Sequence, residues 1–324
     1  MPRKRLLRMT VALVAAVFVC VLVASWRDPM WLVHGEFARQ RWMAGLSQHE
    51  TRVAGHRWVY AQRDAADPRA PTLVMIHGFT GSKENWYPLA EYLRDRYRLV
   101  IPDLPGWGAS ERRAGEDYGY LAQSRRVAAF VEALRAKDSP VVLIGHSMGG
   151  GIVALAAADH PESIARVGLI DAAGVRFSDN AFGRAVLDGR NPFAVEDAAS
   201  LQRYFDTVFH RAQSKPWLPW PASRAFIDWR TRQAPFEQAV LERIGRSTER
   251  FLPGERAAGI AQPTLLLWCD EDRVIDPSAL DLYAARIPQA QRVRLPDCGH
   301  MSIMERPGDV AAAVEQLIRN GVPR

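Results

Sequence analysis

The sequence predicts an α/β protein with a mostly parallel central sheet flanked by helices. Short apolar runs rich in β-branched residues alternate with helix-like patterns along the chain, and this alternation is typical of parallel sheets. The chain has 324 residues, 48% of them hydrophobic, which is enough for one such domain with an insertion. Two segments depart from the alternation: an apolar N-terminal stretch and a long aromatic insertion.

The N-terminal segment, residues 1–30, is predicted to lie outside the α/β domain. After a basic cluster, Met9 to Ser25 gives about 17 residues without a charge, which is the short limit for a membrane span. Trp26 and Trp31 follow, where aromatic residues at a membrane interface are expected. We expect an uncleaved, single-pass membrane anchor. A signal peptide cleaved after Ser25 and a buried helix are the alternatives.

The charge distribution predicts a topology and excludes some partners. Four of the six net positive charges lie in the N-terminal cluster of Arg3, Lys4, Arg5 and Arg8. Such a cluster favours the cytoplasmic side, so the domain is expected outside the cytoplasm, in the periplasm if the source is a bacterium. The rest of the chain has no basic footprint for nucleic acid. It also has no nucleotide-binding fingerprint and no Cys/His metal spacing, so we expect no cofactor and no metal.

Residues 31–50 are predicted to form a juxtamembrane helix. Its apolar positions suit either a helix lying on the bilayer surface or one packed on the domain, and the sequence favours neither. The first part of the α/β core is then expected at residues 51–174.

The first loop of interest follows the strand-like run at residues 71–76. Gly78 permits a tight turn that points a backbone amide inward. We therefore predict that the backbone N–H of Phe79 donates to an oxyanion in a catalytic site. His77 is expected to brace this loop without taking part in the chemistry.

The motif Gly145-His146-Ser147-Met148-Gly149 follows the apolar run 140–144 and precedes a helical pattern of small residues. A strand that turns sharply into a helix through G-x-S-x-G is typical of a nucleophile elbow, although an ordinary glycine-rich turn has a similar pattern. Ser147 is the predicted nucleophile. The amide of Met148, at the helix N-terminus, is the second predicted oxyanion donor.

A segment of about ninety residues separates Asp171 from Thr264, far more than one connection needs. Its many aromatic residues predict a mostly helical cap over the site at residues 175–255. Most of these aromatics are expected in the core of the cap. The stretch 215–221, interrupted by prolines, is expected to be non-helical. Trp217 and Trp220 in that stretch are predicted substrate-binding residues, facing the membrane or the entrance.

The second part of the core, residues 256–324, supplies the predicted acid and base. The strand-like run 264–269 leads into Asp270 and Asp272, and we assign the acid to Asp272. Asp171 and Asp270 remain alternatives. His300, in a loop after the last predicted strand, is the expected base, since the chain order Ser, Asp, His suits a serine hydrolase.

Two of the three cysteines, Cys269 and Cys298, end strands that are expected to be neighbours. A disulfide in an oxidising compartment and a pair of buried free thiols both remain open.

Taken together, these motifs resemble the Ser-type α/β-hydrolase superfamily over roughly residues 55–320. Five blocks match in order: His77-Gly78-Phe79; Asp103-Leu104-Pro105-Gly106-Trp107-Gly108-Ala109-Ser110; the turn around Ser147; Asp272-Arg273-Val274-Ile275; and Gly299-His300 leading to Met304-Glu305-Arg306-Pro307. Residues 77–86 and 145–150 are most similar to the monoacylglycerol lipase and bacterial membrane-associated lipase branch. The resemblance implies a sheet of about eight strands, a helical cap after the sixth strand and a structural role for Asp103.

These expectations converge on a membrane-anchored carboxylic ester hydrolase, a lipase for monoacylglycerol or triacylglycerol. Its partners would be a lipid or other apolar ester and the membrane, with no nucleic acid or nucleotide. Two alternatives remain: a carbon–carbon bond hydrolase on the same scaffold and a non-catalytic membrane-tethered binding protein. Ser147 argues against relatives that place Asp at this position.

Overall fold

The computed structural model describes residues 2–136 and 138–320. The predicted N-terminal segment starts at residue 1 and the predicted second part of the core ends at residue 324, and both of these end points lie outside the described residues. The strands are β1 (Ser47–Val53), β2 (His56–Arg63), β3 (Thr72–Ile76), β4 (Arg98–Pro102), β5 (Val141–His146), β6 (Arg166–Ile170), β7 (Thr264–Cys269) and β8 (Gln291–Leu295). The helices are α1 (Pro2–Arg27), α2 (Trp31–Met43), α3 (Tyr87–Leu93), α4 (Tyr120–Leu134), α5 (Met148–Asp159), α6 (Ala181–Leu187), α7 (Ala198–Val208), α8 (Ala222–Arg246), α9 (Leu252–Arg256), α10 (Ser278–Ala284), α11 (Ser302–Glu305) and α12 (Pro307–Asn320).

The strands form one sheet in the order β1-β2-β4-β3-β5-β6-β7-β8. β1 and β2 pair antiparallel, β2 joins β4 antiparallel, and all later pairs are parallel. The predicted class, a mostly parallel sheet of eight strands with flanking helices, is confirmed. In the β3–β5 register Ile76 lies opposite Gly145, so the loops that follow these strands leave the same edge of the sheet. That edge is where open α/β sheets place their sites.

The two faces of the sheet are covered by separate apolar layers. Alternating side chains of β3 divide between them, with Val74 and Ile76 in one layer and Leu73 and Met75 in the other. All five residues of β3 are buried, because parallel strands with helices on both faces have no solvent-exposed side. The central strands are therefore a rigid base for the loops at their carboxyl ends.

The N-terminal part of the chain forms two helices. The segment Arg8–Arg27 of α1 has a mean hydropathy of 2.5 and is not buried against the rest of the protein, so it is long and apolar enough to cross a membrane. Helix α2 packs against α3 and α8. It ends at Met43, earlier than the predicted boundary at residue 50, because Ser47–Val53 pairs with β2 as an edge strand.

Helices α6, α7, α8 and α9 lie between β6 and β7, where the cap was predicted. The stretch 215–221 forms no helix, as expected from its prolines. The insertion thus begins after the sixth strand and ends before the acid-bearing loop.

Candidate active site

Ser147 lies at a strained turn between β5 and α5. Its backbone has φ 57° and ψ −123°, a conformation that residues other than glycine rarely adopt. The flanking glycines are required by close contacts. A Cβ on Gly145 would lie 2.2 Å from the Gly149 carbonyl oxygen, and one on Gly149 would lie 2.4 Å from the Ile76 carbonyl oxygen. The sequence pattern therefore has the tight geometry that a nucleophile elbow needs.

His300 and Asp272 meet in the interior, although 28 residues separate them along the chain. His300 Nδ1 donates to Asp272 Oδ2 at 2.8 Å. The other carboxylate oxygen, Oδ1, accepts from the backbone amides of Val274 and Ile275 at 2.7 and 3.0 Å. Within the described residues, the buried His300 Nε2 has no hydrogen-bond partner. The carboxylate thus fixes the imidazole with Nε2 as the acceptor nitrogen.

The two alternative acids have other partners. Asp270 is exposed and accepts from Arg294 Nε at 2.7 Å. Asp171 is fully buried and accepts from the Cys269 amide at 2.9 Å and from Ser302 Oγ at 2.5 Å. Among the three candidates, the structure brings only Asp272 to His300 Nδ1.

The protonation states follow from burial. Burial lowers the pKa of His300 to about 3, so its imidazole is neutral at neutral pH and can accept a proton. Burial raises the pKa of Asp272, and the two backbone amides that donate to its carboxylate oppose that rise. The hydrogen bond between His300 Nδ1 and the Asp272 carboxylate holds the imidazole in this orientation.

The loop after β3 lies directly against the elbow. A Cβ on Gly78 would be 2.8 Å from Ser147 Cβ, so only glycine allows this approach. In the described part of the chain, the backbone amides of Phe79, in the loop after β3, and of Met148, the first residue of α5, have no hydrogen-bond acceptor. Both predicted oxyanion donors are therefore free to donate, and both residues line the same pocket as Ser147.

His77 and Asp103 brace this loop, as their sequence positions suggest. His77 Nδ1 donates to the Gly78 carbonyl at 2.8 Å, and Nε2 accepts from the Leu104 amide at 3.0 Å. Asp103 is fully buried and accepts from the backbone amide and Nζ of Lys83 at 2.7 and 2.8 Å. None of these hydrogen bonds involves Ser147.

Glu305 has a role that the sequence pattern did not suggest. Its buried carboxylate accepts from the backbone amides of Gly299, His210 and Arg211 at 2.9, 3.1 and 2.7 Å. One side chain thus ties the loop that carries His300 to the end of the cap helix α7. The available signal was a glutamate directly after the apolar pair Ile303-Met304 in the block that follows His300.

His146 also holds the base loop in place. Its Nε2 donates to the His300 backbone carbonyl at 2.6 Å, and burial lowers the pKa of His146 to about 3. Cys269 and Cys298 form a disulfide with a Cα–Cα distance of 5.3 Å, which joins the strand before Asp272 to the loop before His300. Of the two cysteine states left open by the sequence, the structure contains the bonded one.

Ser147 lines a pocket of about 620 Å³, a volume that includes solvent at its open mouth. Most of the wall is apolar and comes from the cap and its flanks, namely Val175, Phe177, Phe182, Val186, Phe193, Leu241 and Ile244. Trp217 and Trp220 do not line this pocket and are more than 80% exposed. Such a wall suits an acyl chain better than a charged substrate.

Comparisons with known proteins agree with this geometry. A family model described as alpha/beta hydrolase fold matches residues 71–307. Lipase 1 of Psychrobacter immobilis is 32% identical over 262 residues, which cover 79% of this chain and 78% of that protein. Monoacylglycerol lipase ABHD6 of Mus musculus is 28% identical over 253 residues, 76% of this chain and 75% of the relative.

A solved structure is similar over almost the whole length. It is that of a membrane phospholipase A described as a novel bacterial virulence factor, with a TM-score of 0.83 and 32% identity. The match covers 98% of this chain and 99% of that one, so it extends into α1.

Proposed function

Because this chain belongs to the α/β hydrolase family and is an ester hydrolase of the lipase and esterase type, we propose that it cleaves carboxylic esters of lipids while anchored in a membrane. One observation carries the proposal. Ser147, on a strained elbow, lines an apolar pocket, and the adjacent His146 donates to the backbone carbonyl of His300, a buried histidine whose Nδ1 is held by a carboxylate. A binding protein has no need for this combination.

The chemistry assigns one role to each residue. Ser147 Oγ attacks the ester carbonyl while His300 Nε2 takes its proton, and the amides of Phe79 and Met148 stabilise the tetrahedral oxyanion. His300 then passes the proton to the departing alcohol oxygen, leaving an acyl-enzyme on Ser147. Asp272 orients His300 and stabilises its cation. Water, activated by His300, attacks the acyl carbon, releases the carboxylic acid and restores the serine.

The substrate class is proposed from the pocket and from the relatives. A mostly apolar wall next to the nucleophile suits the acyl chain of a lipid ester. The named relatives include lipases and a monoacylglycerol lipase, and monoacylglycerol is the first substrate to test.

The membrane location is proposed from α1. Its apolar segment Arg8–Arg27 follows a basic N-terminus, which favours a cytoplasmic N-terminus and a hydrolase domain on the opposite side. The disulfide between Cys269 and Cys298 supports this side, because disulfides persist in oxidising compartments.

The test compares detergent-solubilised wild type with Ser147→Ala on p-nitrophenyl esters of increasing chain length. We expect turnover that favours medium or long chains, and a loss of roughly 10⁵-fold or more in the variant, because the nucleophile is absent. Equal activity of the two proteins would overturn the mechanism. A vinylogous diketone assayed in parallel would reveal carbon–carbon bond hydrolysis instead.

The fold of the variant must be checked independently. Its thermal unfolding and far-ultraviolet circular dichroism should match those of the wild type, since alanine removes only the hydroxyl at a side chain that is 7% exposed. Failure of the wild type to react with a fluorophosphonate probe would favour the non-catalytic alternative.

A further inference from the structure

Four aromatic side chains follow closely along the chain, at the start of α8 and just before it, and we call them the cap tryptophan face: Trp217, Trp220, Phe226 and Trp229. Trp217 is 81% exposed, Trp220 82% and Trp229 40%, while Phe226 is half-buried with its ring centroid 5.7 Å from that of Trp229. Large aromatic side chains carry much apolar area, so exposing them to water is unfavourable. Neighbouring aromatics exposed on one segment indicate an interaction surface.

The exposed tryptophans are segregated within the molecule. In the described part of the chain every one of them lies in α1, in α2 or on the cap: Trp26, Trp42, Trp217, Trp220 and Trp229. The tryptophans of the α/β core are buried: Trp58, Trp86, Trp107 and Trp268. The cap therefore shares its exposed tryptophans with the proposed anchor segment and not with the core.

The cap tryptophan face is also connected to the anchor in space. Helix α2, which directly follows α1, packs against α8, the helix that carries Phe226 and Trp229. Two of the four aromatic residues, Phe226 and Trp229, therefore lie on a helix that contacts the first helix outside the proposed membrane span.

Most of the basic residues around the face are ion-paired. Residues 211–232 contain five basic residues and one acidic residue, and Arg211 pairs with Asp297, Lys215 with Asp206 and Arg224 with Asp228. Arg224 and Arg232 are exposed, whereas Arg230 is buried against Glu237. Tryptophan beside exposed arginine is typical of segments that lie at the level of lipid headgroups.

We infer that the cap tryptophan face inserts into the interfacial layer of the membrane that α1 spans. The occupant is a lipid surface, and the cap is a second attachment point. Leu241 and Ile244, further along α8, line the pocket at Ser147, so this contact holds the pocket-bearing cap against the source of apolar substrate. The inference rests on the proposed membrane anchor.

The first experiment uses the full chain reconstituted in vesicles of phosphatidylcholine and phosphatidylglycerol, with brominated phosphatidylcholine as the quencher of tryptophan fluorescence. If Trp217 and Trp220 lie in the bilayer, the double variant W217A/W220A loses quenched emission, so its quenched fraction falls below that of the wild type. If they lie in water, the variant loses unquenched emission and the fraction rises, which overturns the inference. Leu282→Ala, at a 39% exposed residue of α10, is the control.

The second experiment separates docking from chemistry. W217A/W220A should hydrolyse a monoacylglycerol embedded in the same vesicles roughly tenfold more slowly than wild type, because interfacial binding scales with buried apolar area. It should hydrolyse dissolved p-nitrophenyl butyrate at the wild-type rate. W217F/W220F, which keeps apolar rings, should recover part of the vesicle activity. Equal loss on both substrates would contradict docking and indicate a structural role.

Two further outcomes keep the proposals apart. If wild type cleaves neither substrate but the quenched fraction still falls in W217A/W220A, the docking surface stands and the proposed hydrolysis fails. If the double variant instead changes the oligomeric state in detergent and leaves quenching unchanged, the face is a contact between copies of this chain and the inference is overturned.

Discussion

The catalytic loops and the cap are built by different means. In the loops that carry Asp272 and His300, buried carboxylates accept hydrogen bonds from several backbone amides. Asp272, for example, accepts from the amides of Val274 and Ile275. In the cap, the pocket wall consists of apolar contacts, and aromatic side chains remain exposed at its outer edge. Directional hydrogen bonds fix a reacting geometry, whereas non-directional apolar contacts tolerate substrates of different shape. We therefore expect substitutions in the loops to change rate, and those in the cap to change substrate preference.

The largest effect within the loops is expected at the acid. Asp272→Asn should lower kcat roughly a thousandfold or more, because an amide no longer holds the imidazole with Nε2 free and no longer stabilises its cation. Asp270→Asn is the matched control and should stay near wild type, since Asp270 is exposed and pairs with Arg294. Steady-state kinetics of both variants on a p-nitrophenyl ester measures the two effects. A larger loss in the Asp270 variant would reassign the acid.

In the cap, Val186→Phe should alter chain-length preference. Val186 lines the pocket, so the added ring should lower kcat/KM roughly tenfold for long acyl chains and leave short chains almost unchanged. The neighbouring Leu187, 42% exposed and outside the lining, supplies the control Leu187→Phe. A uniform loss for all chain lengths would show that the cap positions the reacting groups as well.

Glu305→Gln tests the hydrogen bonds by which Glu305 joins the loop that carries His300 to the cap. The glutamine can replace only part of an acceptor set that serves Gly299, His210 and Arg211, so the free energy of unfolding should fall by roughly 1–3 kcal/mol, with a smaller loss of activity. Denaturant unfolding measures the first effect and ester hydrolysis the second. Glu242→Gln, at an exposed residue of α8, should change neither. An unchanged stability of Glu305→Gln would show that these hydrogen bonds do not stabilise the junction between the loop and the cap.

The mildest test varies only the pH. Burial lowers the pKa of His300, so the base stays neutral as the pH falls below the ordinary histidine value of 6.5. The acid limb of kcat/KM should therefore lie below pH 6.5, with circular dichroism at each pH to exclude unfolding. A limb at or above 6.5 would mean that the imidazole is less buried, or more stabilised as a cation by Asp272, than the geometry indicates.

The parts of the site that follow local rules were predictable. A strand breaking into Gly-x-Ser-x-Gly with small residues behind it indicates the elbow, because only glycine fits beside Ser147. The positions of Phe79 and Met148 follow from the strands that precede them.

The order of elements could be predicted from the sequence: the parallel sheet, the cap between β6 and β7 and the apolar N-terminal helix, since each depends on periodicity within a short window. The three-dimensional packing was needed to show which carboxylate meets His300, that Cys269 bonds Cys298, that Glu305 bonds the cap, and that Trp217 and Trp220 stay outside the pocket. These features join residues far apart along the chain. Local pattern carries no information on such distances, because packing of the whole chain sets them.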